Sequence, residues 1–191
     1  MDPYELIKAV PTEVVKESEK PRMPNHSLHK VVLTAMFTFV AATARAGDLP
    51  DSRFTPGAIN PDVTQANIHQ TVCVKGYTKA IRPPAYYTNA LKKRQIEQFG
   101  YADRKARDYE EDHLVALSIG GAPTDERNLW PQPRNSEWSA DKKDQLEFVL
   151  YKMVCNEEIS LKQAQREMAT DWIEAWKRYV PTHPDYRFKG E

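Results

Sequence analysis

The sequence predicts an α+β fold, a single helix-rich domain that carries a small two-stranded unit. Two observations lead to this class. A short apolar segment ends at Gly120-Gly121, and a second short segment suited to a strand follows at residues 128–133. Towards the C-terminus, apolar residues recur at the spacing of one helix face, at Leu161, Ala164, Met168, Trp172 and Trp176. The length of 191 residues is enough for one domain, and 40% hydrophobic and 28% charged residues are ordinary for a globular protein.

Residues 1–46 are predicted to form an N-terminal extension with a segment resembling a signal peptide. The apolar core at residues 31–42 carries no charge, follows Lys30 and leads into Ala44-Arg45-Ala46. About 20 apolar residues are needed to span a bilayer, so this run is short for a membrane helix. We expect cleavage before Gly47 and a periplasmic or secreted protein without stable membrane association. A start at Met23 gives a well-proportioned signal, and residues 1–22 then belong to an over-extended reading frame.

The rest of the chain divides into three parts. Residues 47–62 are rich in Pro, Gly and Asp and predict an extended arm. Residues 63–180 are predicted to form the domain, and residues 181–191 a C-terminal tail. Within the domain, residues 63–74 are expected to be irregular or a short strand. Residues 81–84 are expected to be extended because two prolines follow Arg82.

The remaining elements are predicted from caps and periodicity. Thr88 is a candidate N-cap for a helix over residues 89–99 that ends at Gly100. A strand is expected to carry Asp112-His113 and the apolar residues of 114–119, and a second one to cover residues 128–133. Ser139 is a candidate cap for a helix reaching about Val154. Ser160, with Gln163 as a capping box, opens the last helix.

The predicted mature chain contains two cysteines, Cys73 and Cys155. An even pair in an exported protein predicts a disulfide, which could stabilise the fold by about 4 kcal/mol in the chain-entropy model. If the protein is cytosolic, two buried free thiols are expected instead. No C-x-x-C pair is present, so a structural zinc site is not predicted.

The charge balance excludes a protein that binds nucleic acid through an overall positive charge. Lys plus Arg equals Asp plus Glu at 27 each, so the chain has no global cationic field. Any contact with phosphate must come from a local patch.

One stretch of the sequence contains the candidate catalytic residues. It reads Asp112-His113-Leu114, then Gly120-Gly121, then Asn128-Leu129-Trp130-Pro131, and a K-D-x-x-E helix follows. A carboxylate beside an imidazole suits phosphodiester hydrolysis, which needs a deprotonated water and neutralised phosphoryl charge. An imidazole titrates near neutral pH, so His113 suits the first task.

This stretch resembles the HNH, or His-Me finger, endonuclease superfamily. It is most similar to an exported bacterial subgroup that reads D-H-L-x-x-L-x-x-G-G-x-x-x-D-x-x-N-L-W-P, and the resemblance covers roughly residues 63–176. It implies a ββα-metal motif in which Asp112 is a metal ligand, His113 is the general base and Asn128 orients the loop. The second metal ligand stays open between Asn135 and Glu137. Asp144 and Glu147 are expected on a solvated helix face, paired with Lys143.

The resemblance implies a metal-dependent, nonspecific nuclease that uses Mg²⁺, with Mn²⁺ or Ca²⁺ as alternatives. DNA is favoured over RNA as the substrate. Arg127, Arg134 and Lys143 are candidate phosphate-binding residues, and Trp130 and Trp138 are expected in the core. Two rival hypotheses remain, a catalytically silent binding protein of the same fold and a periplasmic protein anchored by an uncleaved N-terminal helix. The sequence does not predict the oligomeric state.

Overall fold

The computed structural model describes residues 48–186, which form helices around one two-stranded antiparallel sheet. In chain order the elements are α1 Tyr77–Ile81, α2 Ala85–Gln98, β1 Tyr109–His113, β2 Leu129–Pro133, α3 Ala140–Cys155 and α4 Leu161–Tyr179. The mixture of helices with a small sheet confirms the α+β prediction. The predicted export signal, its cleavage site before Gly47 and residues 187–191 of the tail lie outside the described residues.

The core lies between α3, α4 and the sheet. The buried side chains of α3 include Leu146, Val149 and Leu150, and those of α4 include Met168 and Trp172. Trp130 of β2 is fully buried in the same cluster, as predicted. Trp138 is half-buried and packs edge-on against Trp172 and Trp176, its ring centre 6.1 Å and 5.5 Å from theirs. Both tryptophans therefore stabilise the domain.

Helix α2 begins four residues before the predicted start at residue 89. Pro84 has φ −69° and ψ 150°, and the helix starts directly after it at Ala85. Proline favours this boundary because its fixed φ suits a helix start and it needs no amide partner there. Thr88 is not the cap, since its hydroxyl donates to the Ala85 carbonyl inside the first turn. At the other end, Gly100 has φ +71°, which terminates the helix as predicted.

The strand with the Asp-His pair is β1, and it ends at His113, before the apolar run. Residues 114–119 were predicted to continue it, but they bend away, and Leu117–Ile119 is a 3₁₀ turn. The physical reason is the Asn128 side chain, which forms hydrogen bonds with both the backbone amide and the backbone carbonyl of Val115. Those backbone groups are then no longer free to pair with a strand. The apolar run is a buried core segment instead.

Two other local predictions need correction. In residues 63–74 the regular part is a 3₁₀ helix, Gln65–Gln70, with Ile68 buried below it. Ile81 was expected to be extended but is the last residue of α1, and the extended residue is Arg82, with ψ 128°. The prolines therefore act only on their immediate neighbour.

The segment after residue 47 has no helix or strand of its own, yet it is bonded to the domain. Thr55 is fully buried, and its hydroxyl donates to the Leu129 carbonyl at 3.3 Å. The Asn60 amide donates to Gly120 at 2.8 Å, and the Asp48 carbonyl accepts from the Trp172 indole at 3.1 Å. This segment therefore contributes to the packing of the hairpin.

Helices α3 and α4 begin where the sequence predicted. The Ser160 hydroxyl accepts from the Gln163 amide at 3.1 Å and caps α4. Within α4 the backbone of Asp171 is non-helical, and its carboxylate accepts from the Ile173 and Glu174 amides. Asp171 thus works as an internal cap at a kink, which the periodicity of the sequence did not reveal.

Cys73 and Cys155 form a disulfide with their Cα atoms 5.6 Å apart, which confirms the predicted pair. The bond joins the segment after the 3₁₀ helix Gln65–Gln70 to the last residue of α3. Among residues 48–186, no helix has the length and apolar character needed to cross a membrane.

Candidate active site

The site begins at the closed end of the hairpin. Strands β1 and β2 pair so that Tyr109 faces Pro133 at one end and His113 faces Leu129 at the other. Asp112 precedes His113 at this second end, opposite Trp130. The end of β1 therefore places the carboxylate and the imidazole side by side, at the point where the chain leaves the sheet.

His113 is only 4% exposed, and its geometry fixes its tautomer. The ring Nε2 lies 2.9 Å from the Pro123 carbonyl oxygen, which can only accept. Nε2 must therefore carry the proton, and Nδ1 of the neutral ring has a free lone pair. Burial lowers the pKa of His113, although the hydrogen bond to Pro123 and the charge of Asp112 oppose this effect. The side chain is thus a neutral base at neutral pH.

Asn128 is fully buried and fixes the loop between the strands. Its Oδ1 accepts from the Val115 amide at 2.8 Å, and its Nδ2 donates to the Val115 and Ala122 carbonyls at 3.0 Å each. Its own backbone carbonyl accepts from Leu114 at 2.8 Å. These bonds hold the residues that follow His113 and the residue that precedes Pro123.

Glycine is required where the loop passes this amide. A Cβ atom at Gly121 would lie 1.8 Å from the Val115 carbonyl oxygen and 2.8 Å from Asn128 Nδ2. Gly120 has φ +79°, a left-handed conformation that favours glycine. The Gly-Gly pair therefore permits both the turn and the close approach of the backbone to Asn128.

Helix α3 brings a buried lysine to the same place. Lys143 is fully buried, and its ammonium lies 2.6 Å from Asp112 Oδ2 and donates to the His113 carbonyl at 2.7 Å. It also pairs with Glu147, one helical turn later. Burial alone would lower the pKa of Lys143, but the charges and hydrogen bonds of Asp112 and Glu147 outweigh it and raise the pKa. The lysine therefore stays charged and ties α3 to β1.

Next to Lys143 lies an open cleft of about 690 Å³. One wall is acidic, and its carboxyl groups belong to Glu110, Asp112, Asp144 and Glu147. The α3 residues of this wall are spaced as one helix face and continue into Phe148 and Tyr151. His113 and Arg82 also line the cleft.

The acidic wall holds more negative charge than its cations neutralise. Arg134 pairs with Glu110 at 3.1 Å, and Lys143 is shared by Asp112 and Glu147. Burial and the neighbouring Asp112 raise the pKa of Asp144 to about 6. Burial also raises the pKa of Glu147, and the charges of Asp112 and Asp144 add to it against the opposing Lys143. Four carboxyl groups thus face two cations, and the raised pKa values of Asp144 and Glu147 mean that not all four are ionised at neutral pH.

The structure does not bring Asn135 and Glu137 to this cleft. Both follow Pro133, at the end of the hairpin opposite to His113. Four residues of strand separate the two ends, a distance of about 13 Å. Asn135 and Glu137 line a separate concavity with Asp103 and Asp108. The groups that the structure places beside Asp112 are instead Asp144 and Glu147, which the sequence had assigned to a solvated helix face.

The three predicted phosphate-binding residues have different surroundings. Lys143 was predicted as a candidate phosphate-binding residue, but it is fully buried and paired with Asp112 and Glu147, so its ammonium is not exposed at the cleft surface. Arg127 pairs with its loop neighbour Asp125 at 2.6 Å and does not line the cleft. Arg134 is half-exposed and paired with Glu110, so it lies at the edge of the acidic wall.

Sequence reasoning overlooked two cations of the cleft, Lys75 and Arg82. A signal for them exists in the sequence, because residues 63–96 contain six Lys or Arg and no Asp or Glu. The sequence does not reveal the burial of Glu111, whose two carboxyl oxygens have no hydrogen-bond partner in the described part of the chain. Burial, and then the charge of Asp112, raise the pKa of Glu111 to about 9.

Within residues 48–186, no group of three or more His, Cys, Asp or Glu side chains is arranged to hold a metal ion. Magnesium, however, is usually held by only one or two carboxylates together with phosphate oxygens and water. Asp112 and Asp144 supply such a pair of oxygen donors in one cleft. The donor chemistry of the site therefore fits a hard cation.

Comparison with known proteins adds no relative, since no protein-family model, curated protein or solved structure matches this chain.

Proposed function

We propose that this protein is a metal-dependent nuclease of the HNH, or His-Me finger, type that hydrolyses phosphodiester bonds. The observation that carries the proposal is the state of His113. Its Nε2–H is committed to the Pro123 carbonyl, its Nδ1 lone pair is free, and it lies in the same cleft as Asp112. A neutral, oriented imidazole beside carboxylates is what general-base activation of water requires.

In this mechanism His113 accepts the proton of the attacking water at Nδ1. The Pro123 carbonyl stabilises the resulting imidazolium, because Nε2–H continues to donate to it. Asp112 lies next to the imidazole and favours its positive charge. Each of these groups is held before the reaction, so little reorganisation is needed when charge develops.

Asp112 and Asp144 are the residues that would hold a divalent cation. Asp112 has one oxygen engaged with Lys143, which leaves its other oxygen available. When bound, the cation would neutralise charge on the phosphoryl oxygens and stabilise the leaving oxygen. Lys143 keeps the Asp112 carboxylate and the His113 backbone at a fixed separation, and Asn128 does the same for the loop behind them.

A second candidate function is supported by one specific observation. The Lys143 ammonium already lies between Asp112 and Glu147, where it supplies a positive charge without a metal. A site satisfied in this way is consistent with a catalytically silent protein of the same fold that only binds its partner. The two candidates differ in whether a divalent cation binds near Asp112.

Isothermal titration with Mn²⁺ and Mg²⁺, together with plasmid cleavage, tests this proposal. We expect Asp112→Asn and Asp144→Asn each to weaken cation binding at least tenfold and to lower cleavage at limiting metal. Asn135→Ala is the matched control and should change neither quantity. An equal loss of cation binding for Asn135→Ala would support Asn135 as the second ligand, one of the two candidates predicted from the sequence. Absence of cation binding to the unmodified protein would support the silent candidate instead.

A further inference from the structure

The cleft has a second wall, and its charge is opposite to that of the first. It is formed by residues 72–82, which lie within the acid-free segment, residues 63–96, and it contains Lys75 and Arg82. Both side chains are exposed, and no carboxylate in the described part of the chain pairs with either of them. In a chain of zero net charge, this local separation of charge is the feature that needs an explanation.

The position of Arg82 relates this wall to the reaction site. Arg82 and His113 line the same cleft. An anion bound by Arg82 would therefore lie between the acidic wall and the second wall, which contains Lys75 and Arg82. Arginine suits this position because its planar fork can donate two hydrogen bonds to one phosphate.

The cleft also presents apolar and aromatic surface beside its charges. Phe148 and Tyr151 of α3 line it, and Val74 lines it with 45% of its surface exposed. Cationic side chains beside aromatic ones are a common arrangement for binding single strands, because the cations contact the phosphates and unpaired bases stack on the rings.

The depth of His113 restricts the substrate further. Only 4% of this residue is exposed, so a scissile phosphate must descend into the cleft to reach it. A single strand is flexible enough to enter, whereas the backbone of an intact duplex is held at the duplex surface.

We propose that Lys75 and Arg82 form the phosphate-binding wall of the cleft and that the preferred substrate is single-stranded polynucleotide. This inference rests on the proposed nuclease function. It assigns substrate binding to the acid-free segment and not to Arg127 or Arg134. The wall contacts phosphates, so it carries no base specificity, and the aromatic side chains select for unpaired bases.

Fluorescence anisotropy with labelled oligonucleotides tests the inference. The whole chain carrying His113→Ala would be titrated, with magnesium, against single-stranded DNA, single-stranded RNA and duplex DNA of equal length. We expect either single strand to bind at least tenfold more tightly than the duplex. Adding Lys75→Gln and Arg82→Gln should weaken single-strand binding roughly tenfold or more. The slope of log K against log salt should fall by about 1.4, since each lost phosphate contact removes about 0.7.

The matched control is Lys162→Gln with Arg166→Gln, which removes two exposed cations from α4. This control should bind like the parent protein, and circular dichroism should show that both double variants are folded. Duplex binding as tight as single-strand binding, or equal affinity of the two double variants, would overturn the inference. If His113-intact protein cleaves nothing while Lys75 and Arg82 still govern single-strand binding, the nuclease proposal fails, and of this inference only the phosphate-binding wall stands. If cleavage does not depend on Lys75 and Arg82, this inference fails and the nuclease proposal stands.

Discussion

At the scale of single residues, His113 and Lys143 show how burial sets chemical roles. One is a base kept neutral by burial, and the other is a cation kept charged by its partners. The two are linked, because Lys143 donates to the carbonyl of His113. For each residue, burial leads to a prediction that would fail if the side chain were exposed.

For His113 we expect an acid limb of kcat/KM below pH 6.5, the ordinary value for histidine. The pKa of His113 is lowered, so the base is already neutral at pH values where a free imidazole is half protonated. His113→Ala should reduce cleavage by about 10²–10⁴-fold. A pH profile on unmodified protein checks the first point. An acid limb above pH 7 would contradict the burial of the working base.

Replacing Lys143 by Met should destabilise the fold by about 3–5 kcal/mol, because it leaves two carboxylates beside each other without their cation. Urea unfolding would measure the change. The neighbouring Lys142→Met is the control, since the Lys142 ammonium lies over the Trp138 and Trp176 rings, 4.3 Å and 5.5 Å from their centres, and such contacts contribute about 0.5–1 kcal/mol each. A loss below 1 kcal/mol for Lys143→Met would show that the buried ion pair is not structural.

Glu111 predicts a pH dependence of stability. Its pKa in the folded protein is about 9, against 4.5 for an exposed glutamate, so folding favours the protonated form. The unfolded chain releases that proton above pH 4.5, and the fold loses stability as the pH rises from there towards 9. Glu111→Gln should therefore raise Tm by about 2–8 °C at pH 8 in EDTA and leave it nearly unchanged at pH 4. Equal Tm values at pH 8 would refute this.

At the scale of elements, the hairpin loop is held in place by the side-chain amide of Asn128. Asn128→Ala would leave the Val115 amide and two carbonyls without partners in the interior. We expect a loss of about 2–4 kcal/mol in stability and a parallel loss of activity, because the Pro123 carbonyl no longer has a fixed position. Asn89→Ala, on the exposed face of α2, should change stability by less than about 0.5 kcal/mol. Activity lost without any loss of stability would mean that Asn128 contacts the substrate.

The elements also show what the sequence could predict. Caps and periodicity predicted α3 and α4, and the position of Asn128 within the motif predicted its role in the loop. Counting residues after Asn128 predicted Asn135 and Glu137 as ligands, but the count ignored the antiparallel return of β2, which carries them to the far end of the hairpin. The pair Lys143 and Glu147 fits a solvated helix face equally well in sequence. Only tertiary packing makes it a buried ion pair.

At the scale of the whole molecule, the notable property is charge separation within a neutral chain. The acid-free residues 63–96 and the acidic wall of β1 and α3 meet at one cleft, although they are distant in sequence. The net charge therefore concealed a local cationic patch. The sequence contained this information as a run without carboxylates, but its place opposite the acidic wall depends on the fold.

The cleavage of supercoiled plasmid and single-stranded nucleic acid, with and without Mg²⁺ or Mn²⁺, tests the central claim most directly. The unmodified protein and the His113→Ala variant would be compared at equal concentration, after circular dichroism has shown that both are folded. The account predicts metal-dependent cleavage by the unmodified protein and at least a hundredfold lower rate for His113→Ala. No cleavage of DNA or RNA at saturating metal, or equal rates for the two proteins, would contradict it.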